Sequence, residues 1–359
     1  MISIKRGKVT KIIKKLEGRT DILVNIDNKD ENAINYDYLT GCIAVGDEVI
    51  LNTTAVELNL GTGGYHFVIW NLNISNQSID TKGHIMKLRY TPFQLKTYAV
   101  EEQESPYHKL FHEFKSLNDM PVIVGTLHSM LVPISSTLKY LNNNIKIAFI
   151  MTDGAALPLY LSNAIYELKE KNIIYKTITL GHAFGGDYEV VNIYNALIAA
   201  KEIAKCDIAI VTMGPGIVGT GTPYGFTGVE QGYIADAVND LGGVSITVPR
   251  ITFKDERERH YGLSHHSLTV LSKIMKTKSN IALPNFSLEH ETIIMKQIKE
   301  NNLMQKHNIF KVEKNILEQA LDQYGLKVKS MGRNLKNDPE FFATCSAAAI
   351  YAVSLLNNQ

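Results

Sequence analysis

Three histidines and an arginine stand close together in the second half of the sequence. Arg250 follows an apolar run, and His260, His265 and His266 lie within seven residues of one another. Imidazoles serve as bases or metal ligands, and guanidinium groups bind carboxylates and phosphates. Ser264 has the position of a helix N-cap, where the helix dipole favours neutral imidazoles in the first turn. The stretch predicts a catalytic or anion-binding region; the alternative is a capped helix with two ordinary histidines beside a solvated charge run.

A single helix through all three histidines would not place them on one face. At 100° per residue, His260 would stand about 140° from His265 and about 120° from His266. The spacing therefore disfavours a zinc pair on one helical face. It leaves the histidines as a base, a metal ligand or a neutral donor.

Polar side chains also follow the other apolar runs of the sequence. Because ligands bind beyond the carboxyl ends of parallel strands, we expect these side chains to share one edge of a sheet. Asp153 is a candidate carboxylate or a turn residue capping a helix at Ala155, and with His182 and Asp187 it is a candidate metal set. The predicted catalytic residues are Asp153, His182, His260, His265 and His266; the predicted substrate- or anion-binding residues are His128, Gly214, Gly216, Gly219, Gly221, Thr222, Arg250 and Arg333.

A glycine-rich loop follows the fourth apolar run. Gly214, Gly216 and Gly219 satisfy the G-x-G-x-x-G spacing of dinucleotide sites, but the next helix cannot begin before about Thr227. No acidic residue ends the following run, and no Gly-Lys-Ser/Thr follows, so a standard NAD site is disfavoured and a P-loop is excluded. The loop offers N–H donors and the Thr222 hydroxyl to an anion or covers a bound ligand. The alternative is a loop whose glycines only make close turns.

The elements that must position these residues alternate along the chain. Apolar runs at 122–127, 145–151, 175–180, 207–213 and 244–249 are separated by amphipathic stretches. Such alternation predicts an α/β fold with a doubly wound, mostly parallel sheet flanked by helices. Helices are predicted over Leu157–Lys169 and Tyr194–Ala204, and from an N-cap at Asn337-Asp338 to Leu356. The last helix is apolar nearly all round, and we expect it inside the fold rather than in a membrane.

The N-terminal region has a different pattern. Short alternating runs separated by glycines up to about Asn73 predict a small antiparallel β-barrel-like domain. The expected domains are the barrel at 1–75, a connection with a helical segment at 76–120 and a Rossmann-like α/β domain at 121–359. The first twenty residues carry seven Lys or Arg against one Glu, which gives +6. Nucleic-acid binding is nevertheless not favoured, since aromatic residues that would stack on bases are missing there.

The composition of the chain limits which partners, cysteine sites and locations are expected. The 359 residues contain 37 Lys and Arg against 36 Asp and Glu, so the net charge indicates neither nucleic acid nor anionic lipid as a partner. Three dispersed cysteines, Cys42, Cys206 and Cys345, form no disulfide framework or zinc knuckle. With no apolar leader at the N-terminus, the expected location is the cytoplasm. No cofactor is identified by the sequence, and a homo-oligomer is compatible with it.

Several motifs together resemble a known family. They are Leu51–Val56, Gly61–Val68, Met213–Gly216 with Gly221-Thr222, Arg259–His266, and Met331–Arg333 with Asp338-Pro339. In combination they are similar to an uncharacterised bacterial family, domain of unknown function 3866. The resemblance implies bacterial origin and one architecture over the whole chain, and it implies no activity.

The predicted function is that of a cytoplasmic enzyme acting on a small anionic or phosphorylated metabolite at the carboxyl edge of the sheet. The polar residues at the strand ends are the basis of this hypothesis. A non-catalytic metabolite sensor is the first alternative, and nucleic-acid binding through the barrel is the second. Strongly salt-dependent association would be the signature of the second.

Overall fold

The computed structural model of the chain describes residues 2–61, 63–78, 82–154 and 158–357. The chain forms two compact units, residues 1–97 and residues 98–359. The strands are β1 (Ile4–Leu16), β2 (Arg19–Ile26), β3 (Lys29–Tyr36), β4 (Glu48–Asn52), β5 (His66–Asn71), β6 (Ile85–Lys87), β7 (Leu95–Thr97), β8 (Pro121–Val124), β9 (Ile147–Thr152), β10 (Lys176–Leu180), β11 (Tyr188–Val190), β12 (Ile208–Met213), β13 (Val244–Thr247), β14 (Ile251–Thr252), β15 (Gly262–Leu263), β16 (Asn280–Pro284), β17 (Asn308–Val312), β18 (Lys329–Ser330) and β19 (Arg333–Asn334).

The helices of the described residues belong mostly to the second unit. They are α1 (Asp37–Thr40), α2 (Thr54–Glu57), α3 (His108–Glu113), α4 (Leu131–Leu141), α5 (Asn163–Glu170), α6 (Ile193–Ile198), α7 (Glu230–Asp240), α8 (His265–Thr269), α9 (Leu288–Glu300), α10 (Leu303–Lys306), α11 (Leu317–Tyr324) and α12 (Pro339–Leu356). Helices α6 and α8 continue as π-helical turns over Ala199–Ile203 and Val270–Ile274. The predicted start of the helix at Leu157 lies outside the described residues.

The first unit is a closed barrel. Within its described residues, five strands follow one another around the barrel in the order β1-β2-β3-β5-β4. Alternating apolar side chains such as Val9, Val24, Val49 and Leu51 fill the interior. The predicted barrel is confirmed, but β3 pairs with β5 in parallel while the other neighbours are antiparallel. A closed barrel with an odd number of strands cannot alternate in direction throughout, so one parallel pair is unavoidable.

The second unit contains a parallel sheet. In the described residues it has eight strands in the order β11-β10-β9-β12-β8-β13-β16-β17. The five predicted apolar runs correspond to β8, β9, β10, β12 and β13. The strands β11, β16 and β17 were not predicted. Strand β11 has three residues, and the edge strand β17 exposes Asn308, Phe310 and Lys311. Strand β16 is buried, but its apolar run is short and ends at Pro284. The α/β prediction holds, and the sheet extends further on both sides than its apolar runs indicate.

Helices cover both faces of this sheet. Val122 and Val124 of β8 belong to one buried cluster together with side chains of α6, α7 and α9. Ile123, which lies between them, belongs to a second cluster with side chains of α4, α5, α11 and α12. Since neighbouring side chains of a strand point to opposite faces, the two clusters are the two sides of one sheet. The strands are therefore buried on both faces, which explains their continuous apolar runs.

Helix α12 is the apolar C-terminal helix that the sequence predicts inside the fold. Its length and composition would suffice to cross a membrane, but 56% of the relevant window is buried within the protein. Phe341, Phe342, Cys345 and Ala349 pack in the second cluster. Pro339 occupies the first turn after the N-cap Asp338, as expected. This helix is thus part of the core.

The connections of the sheet diverge around β12. The chain leaves β8 and β9 toward α4 and α5 on one face, whereas it leaves β12 toward α7 on the other face. A crevice opens where the connections after neighbouring strands depart to opposite faces. The amide of Gln231 in α7 donates hydrogen bonds to the carbonyls of Val124 (2.7 Å) and Val248 (2.9 Å), which fixes this helix beside the ends of β8 and β13. Topology therefore places candidate sites on either side of β12.

Candidate functional site

The segment after β13 carries a buried arginine and its carboxylate partner. Arg250 is 5% exposed, and its Nη2 donates to Asp255 at 2.7 Å. Arg257 donates to the same carboxylate through Nε and Nη2, at 2.8 Å each. The hydrogen bond from Arg257 and the charges of both arginines hold the pKa of Asp255 far below its usual value. Two guanidinium groups share one carboxylate, so the segment keeps an excess of positive charge.

A short antiparallel ribbon brings His260 back to the helix that follows. Strands β14 and β15 pair Ile251 with Leu263, and the chain between them turns at His260. Ser264 then caps α8, as predicted, by accepting the backbone N–H of His266. The Ser264 hydroxyl also lies 2.7 Å from Nδ1 of His260. One serine thus joins the turn to the helix.

His260, His265 and His266 converge in space. Their ring centroids lie 4.2 to 5.1 Å apart, and one ring nitrogen of each lies within 4.8 Å of the others. They converge without sharing a helical face, because His260 lies in the turn before α8 and not in the helix itself. Gly262, whose φ is +73°, permits the reversal between them. Together with Arg250, Arg257 and Arg259, we call these residues the histidine–arginine cluster.

The environment of this cluster favours neutral imidazoles. Burial, followed by the charge of Arg250, lowers the pKa of His260 to about 3. Burial lowers the pKa of His266 to about 4, with further contributions from His265 and the arginines, and the pKa of His265 is lowered by burial and Arg259. At neutral pH each ring therefore keeps one nitrogen lone pair for a ligand.

The glycine-rich loop forms one wall of the site. Gly219 bridges to Phe226, whose ring stacks on His266 with centroids 4.0 Å apart and planes at 10°. A Cβ on Gly219 would stand 3.2 Å from the His266 ring, so the loop approaches as closely as glycine permits. The Thr222 hydroxyl lies 2.8 Å from that of Thr220 and accepts the N–H of Gly225. Thr222 therefore stabilises the loop itself.

The loop and the cluster enclose a cavity of about 100 Å³. It lies beside the residues that follow β8, β12 and β13, which is the predicted edge of the sheet. Five of the predicted site residues line it, namely Gly219, Gly221, Arg250, His260 and His266. Gly214 and Gly216 lie earlier in the loop. The lining residues are Thr126, Leu127, Ile217, Val218, Gly219, Gly221, Gly228, Arg250, Arg257, Arg259, His260, His266 and Met331.

Two further predicted residues are engaged elsewhere. His128 Nε2 lies 2.6 Å from the Ser162 hydroxyl, and its ring packs edge-on against Phe149. Burial lowers the pKa of His128 to about 4. Arg333 donates to the N-cap Asp338 at 2.8 Å. Both contacts stabilise the fold, and neither residue lines the cavity.

A second polar site lies across β12, at the ends of β9 and β10. Asp153 accepts the backbone N–H of His182 at 2.9 Å, and a Cβ on Gly181 would stand 2.4 Å from its Oδ2. Glu230, in the first turn of α7, is 7% exposed and accepts a 2.6 Å hydrogen bond from the Thr152 hydroxyl. Burial raises the pKa of Glu230 to about 7, and the charge of Asp153 acts in the same direction. We call Asp153 and Glu230 the carboxylate pair.

The structure separates Asp187 from this pair. Its carboxylate accepts the N–H and hydroxyl of Thr177 and a hydrogen bond from Lys169. Thr177 lies near the start of β10, whereas His182 follows its end, so the predicted metal set of Asp153, His182 and Asp187 does not assemble. Sequence reasoning missed Glu230. An acidic residue in the first turn of the helix after the glycine loop was the available signal.

The fold and this site define the class: an α/β protein with an appended closed barrel and a polar cavity at the carboxyl edge of a parallel sheet. The chain belongs to the family described as protein of unknown function, DUF3866, whose model matches residues 32–349. This match confirms the resemblance drawn from the motifs. No curated protein matches the chain.

Proposed function

We propose that this protein is a cytoplasmic enzyme that binds a small anionic or phosphorylated metabolite in the cavity of the histidine–arginine cluster. The observation that carries the proposal is the composition of the cavity wall. The wall contains Arg250, Arg257 and Arg259 together with His260 and His266. Asp255, the buried carboxylate among them, already forms ion pairs with two of these arginines. The surplus positive charge suits a carboxylate or phosphate.

The arginines have different roles in this proposal. Arg250 is held in place by Asp255 and lies 3.4 Å from His260 Nδ1. Arg257 is held by the same carboxylate through two hydrogen bonds, whereas Arg259 is exposed at the rim and its guanidinium group can turn toward an entering anion. The neutral imidazoles supply hydrogen bonds without adding charge. An anion would thus meet the fixed guanidinium groups of Arg250 and Arg257 on one side and the adjustable donor Arg259 on the other.

The loop from Gly214 to Gly225 supports the same proposal. Gly221, with φ of +79°, lines the cavity close to Arg259, where a Cβ would stand 4.0 Å from Nη2. The loop covers the cluster at the divergent connections, where small ligands bind in parallel sheets. The cavity of about 100 Å³ matches a group of a few heavy atoms, such as a phosphate or carboxylate.

The test is a calorimetric titration of the full chain with orthophosphate, pyrophosphate, sugar phosphates, nucleotides and dicarboxylates. We expect saturable binding of at least one of them. Arg259→Gln should weaken that binding about tenfold or more, because hydrogen bonds to charged groups contribute about 1.5 to 3 kcal/mol. Arg6→Gln on the barrel removes the same charge and should leave affinity unchanged.

Absence of binding across the panel, or equal affinities of the two variants, would overturn the proposal. Incubation with the bound compound then separates an enzyme from a sensor. In an enzyme, His265→Asn should abolish conversion and retain measurable affinity. A compound that binds and is never converted identifies the protein as a metabolite sensor.

The proposed cytoplasmic location rests on the cysteines. Cys42, Cys206 and Cys345 are all free thiols. Cys206 and Cys345 are buried, and burial raises the pKa of the Cys206 thiol to about 12, so it stays protonated and unreactive. Such dispersed free thiols are typical of a reducing compartment.

A further inference from the structure

We propose that His260, His265 and His266 bind one divalent transition-metal ion of the zinc class. The proposal goes beyond the anion site, since it concerns the imidazole nitrogens and not the arginines. Among the described residues, these three are the group of His, Cys, Asp and Glu whose ligand atoms lie within 4.8 Å of one another. Imidazole is a preferred ligand of Zn²⁺, Co²⁺, Ni²⁺ and Cu²⁺, whereas Mg²⁺ and Ca²⁺ prefer oxygen.

The geometry is close to that of a coordination shell. A tetrahedral ion with Zn–N distances of about 2.0 to 2.1 Å places its nitrogen ligands about 3.4 Å apart. The ring nitrogens here lie at most 4.8 Å apart. Binding of the ion would therefore draw the ligand nitrogens closer together by up to about 1.4 Å. His265 and His266 are adjacent in the first turn of α8, and His260 approaches from the turn before it.

An unsatisfied ring nitrogen provides an independent indication of a ligand. Nε2 of His265 is buried and has no hydrogen-bond partner among the residues that the structure describes. Buried polar atoms nearly always have a partner, so an atom left without one needs an explanation, and a bound ion is one such explanation. Its neighbours within reach are the rings of His260 and His266. A metal ion would satisfy this nitrogen.

The surroundings hold the rings in the way that metal sites require. Ligating histidines usually donate their second nitrogen to a nearby acceptor, which fixes the tautomer. Nδ1 of His260 lies 2.7 Å from the Ser264 hydroxyl and 3.4 Å from Nη1 of Arg250. In the tautomer that donates from Nδ1 to the serine oxygen, the shorter of these two contacts, Nε2 is free to ligate. His266 is stacked on Phe226 and lies against Gly219. Two of the three rings are thus already oriented.

Three protein ligands leave a coordination position open toward the cavity. Catalytic zinc sites share this arrangement, in which the fourth position takes water or substrate. The arginines that line the same cavity would attract an anionic ligand to that position. They would also oppose the charge of the ion, an effect that Asp255 reduces. We therefore expect moderate affinity for the metal alone and tighter binding with an anion present.

The experiment uses the full chain, freed of metal with a chelator and titrated in phosphate-free buffer. We expect one Zn²⁺ per chain by calorimetry, one Co²⁺ per chain with the intense visible absorption of four- or five-coordinate cobalt, and no heat with Mg²⁺. His265→Ala should weaken Zn²⁺ binding by about a hundredfold or more and abolish the cobalt band. His266→Asn should do the same, which guards against a folding defect in one variant.

The matched control is His112→Gln. His108 and His112 lie one helical turn apart with their Nε2 atoms at 3.1 Å, so they are a second pair able to capture a metal from solution. Binding that survives in both cluster variants and disappears in His112→Gln would overturn the proposal, as would no binding in the parent protein. Because the buffer contains neither phosphate nor a carboxylate, this result is independent of whether the cavity binds those groups.

Discussion

The two polar sites at the carboxyl edge of the sheet differ in charge but respond to burial in the same way. The histidine–arginine cluster lies near the ends of β8, β12 and β13, and the carboxylate pair lies across β12 at the ends of β9 and β10. In the first, burial lowers the pKa of His260 to about 3 and that of His266 to about 4. In the second, burial raises the pKa of Glu230 to about 7. Each environment disfavours the charged form.

Neighbouring charges strengthen both effects. The arginines disfavour imidazolium ions beside them, and Asp153 disfavours a second carboxylate beside it. The resulting groups are neutral hydrogen-bonding side chains within a few residues of the strand ends. Perturbed pKa values of this kind concentrate at functional sites, and structural ion pairs produce them too. Burial and neighbouring charges therefore contribute separately to each pKa shift. A substitution can change one of these two contributions while the other stays the same.

The largest expected effect comes from removing the carboxylate of the first site. Asp255→Asn leaves Arg250, 5% exposed, without its anionic partner. Loss of one partner of a buried ion pair costs about 3 to 5 kcal/mol. We expect urea denaturation to show a loss of about 3 kcal/mol or more in the free energy of unfolding. Asp322→Asn, at an exposed position of α11, is the control and should change it by less than about 0.5 kcal/mol. Equal effects would show that Arg250 does not depend on Asp255.

The second prediction concerns the pH dependence that Glu230 gives to the fold. Its pKa rises from 4.5 to about 7 on folding, so the folded state binds its proton more tightly. This contribution to stability is complete below about pH 4.5, falls as the pH rises, and is lost above about pH 7. A shift of this size corresponds to about 3 kcal/mol. In Glu230→Gln the side-chain amide oxygen can still accept the hydrogen bond from the Thr152 hydroxyl, and the side chain does not titrate.

The measurement is urea denaturation of the parent protein and Glu230→Gln at about pH 5 and about pH 8. We expect the variant to gain up to about 3 kcal/mol relative to the parent at the higher pH and little at the lower pH. Titrations elsewhere in the protein, including those of the histidines, are common to both chains and cancel in this difference. Parallel pH profiles would show that Glu230 is ionised in the folded protein throughout.

The third prediction tests the packing of the carboxylate pair. Gly181 has φ of +63°, and a Cβ there would stand 2.4 Å from Oδ2 of Asp153. Gly181→Ala combines a left-handed backbone strain of about 1 to 2 kcal/mol with displacement of the carboxylate. We expect a loss of about 2 kcal/mol in the free energy of unfolding. Gly325→Ala is the matched control, because it has φ of +59° and no neighbour within 4 Å, and it should lose only the strain. A similar loss in both variants would mean that Asp153 moves aside freely.

The comparison also shows how far the sequence could predict the structure. The five central strands were predictable, because burial on both faces produces continuous apolar runs. The edge strands β11 and β17 were not predicted, since β11 has three residues and β17 is partly solvated. The buried strand β16 was also missed, because its apolar run is short and ends at a proline. The parallel β3–β5 pair, which follows from barrel closure, was not predicted either. The helix starts at Ser264 and Asp338 were readable from the capping residues themselves.

The residues of the two sites, like the strands, were predictable only in part. Position at strand ends identified Arg250, Asp153 and the histidines, because topology places strand ends at one edge. Their spacing along the sequence could not show which of these side chains contact one another in the fold. His260 joins His265 and His266 only through the β14–β15 ribbon, and His128 and Arg333 are drawn into contacts with Ser162 and Asp338. Glu230 was missed because its burial depends on packing against Thr152, 78 residues earlier in the chain.

The smallest expected effect concerns the serine that joins the turn to the helix. Ser264→Ala removes the N-cap of α8 and the hydroxyl beside His260 Nδ1. Loss of such a cap costs about 1 kcal/mol, so denaturation should show a modest destabilisation. If the hydroxyl also orients His260, Co²⁺ affinity should fall by about tenfold or more in Ser264→Ala, as for second-sphere groups of metal sites. Ser287→Ala, which removes the N-cap of α9, provides the matched loss of stability without a contact to the cluster. Unchanged cobalt affinity in Ser264→Ala would show that Ser264 acts only as the N-cap of α8 and does not orient His260.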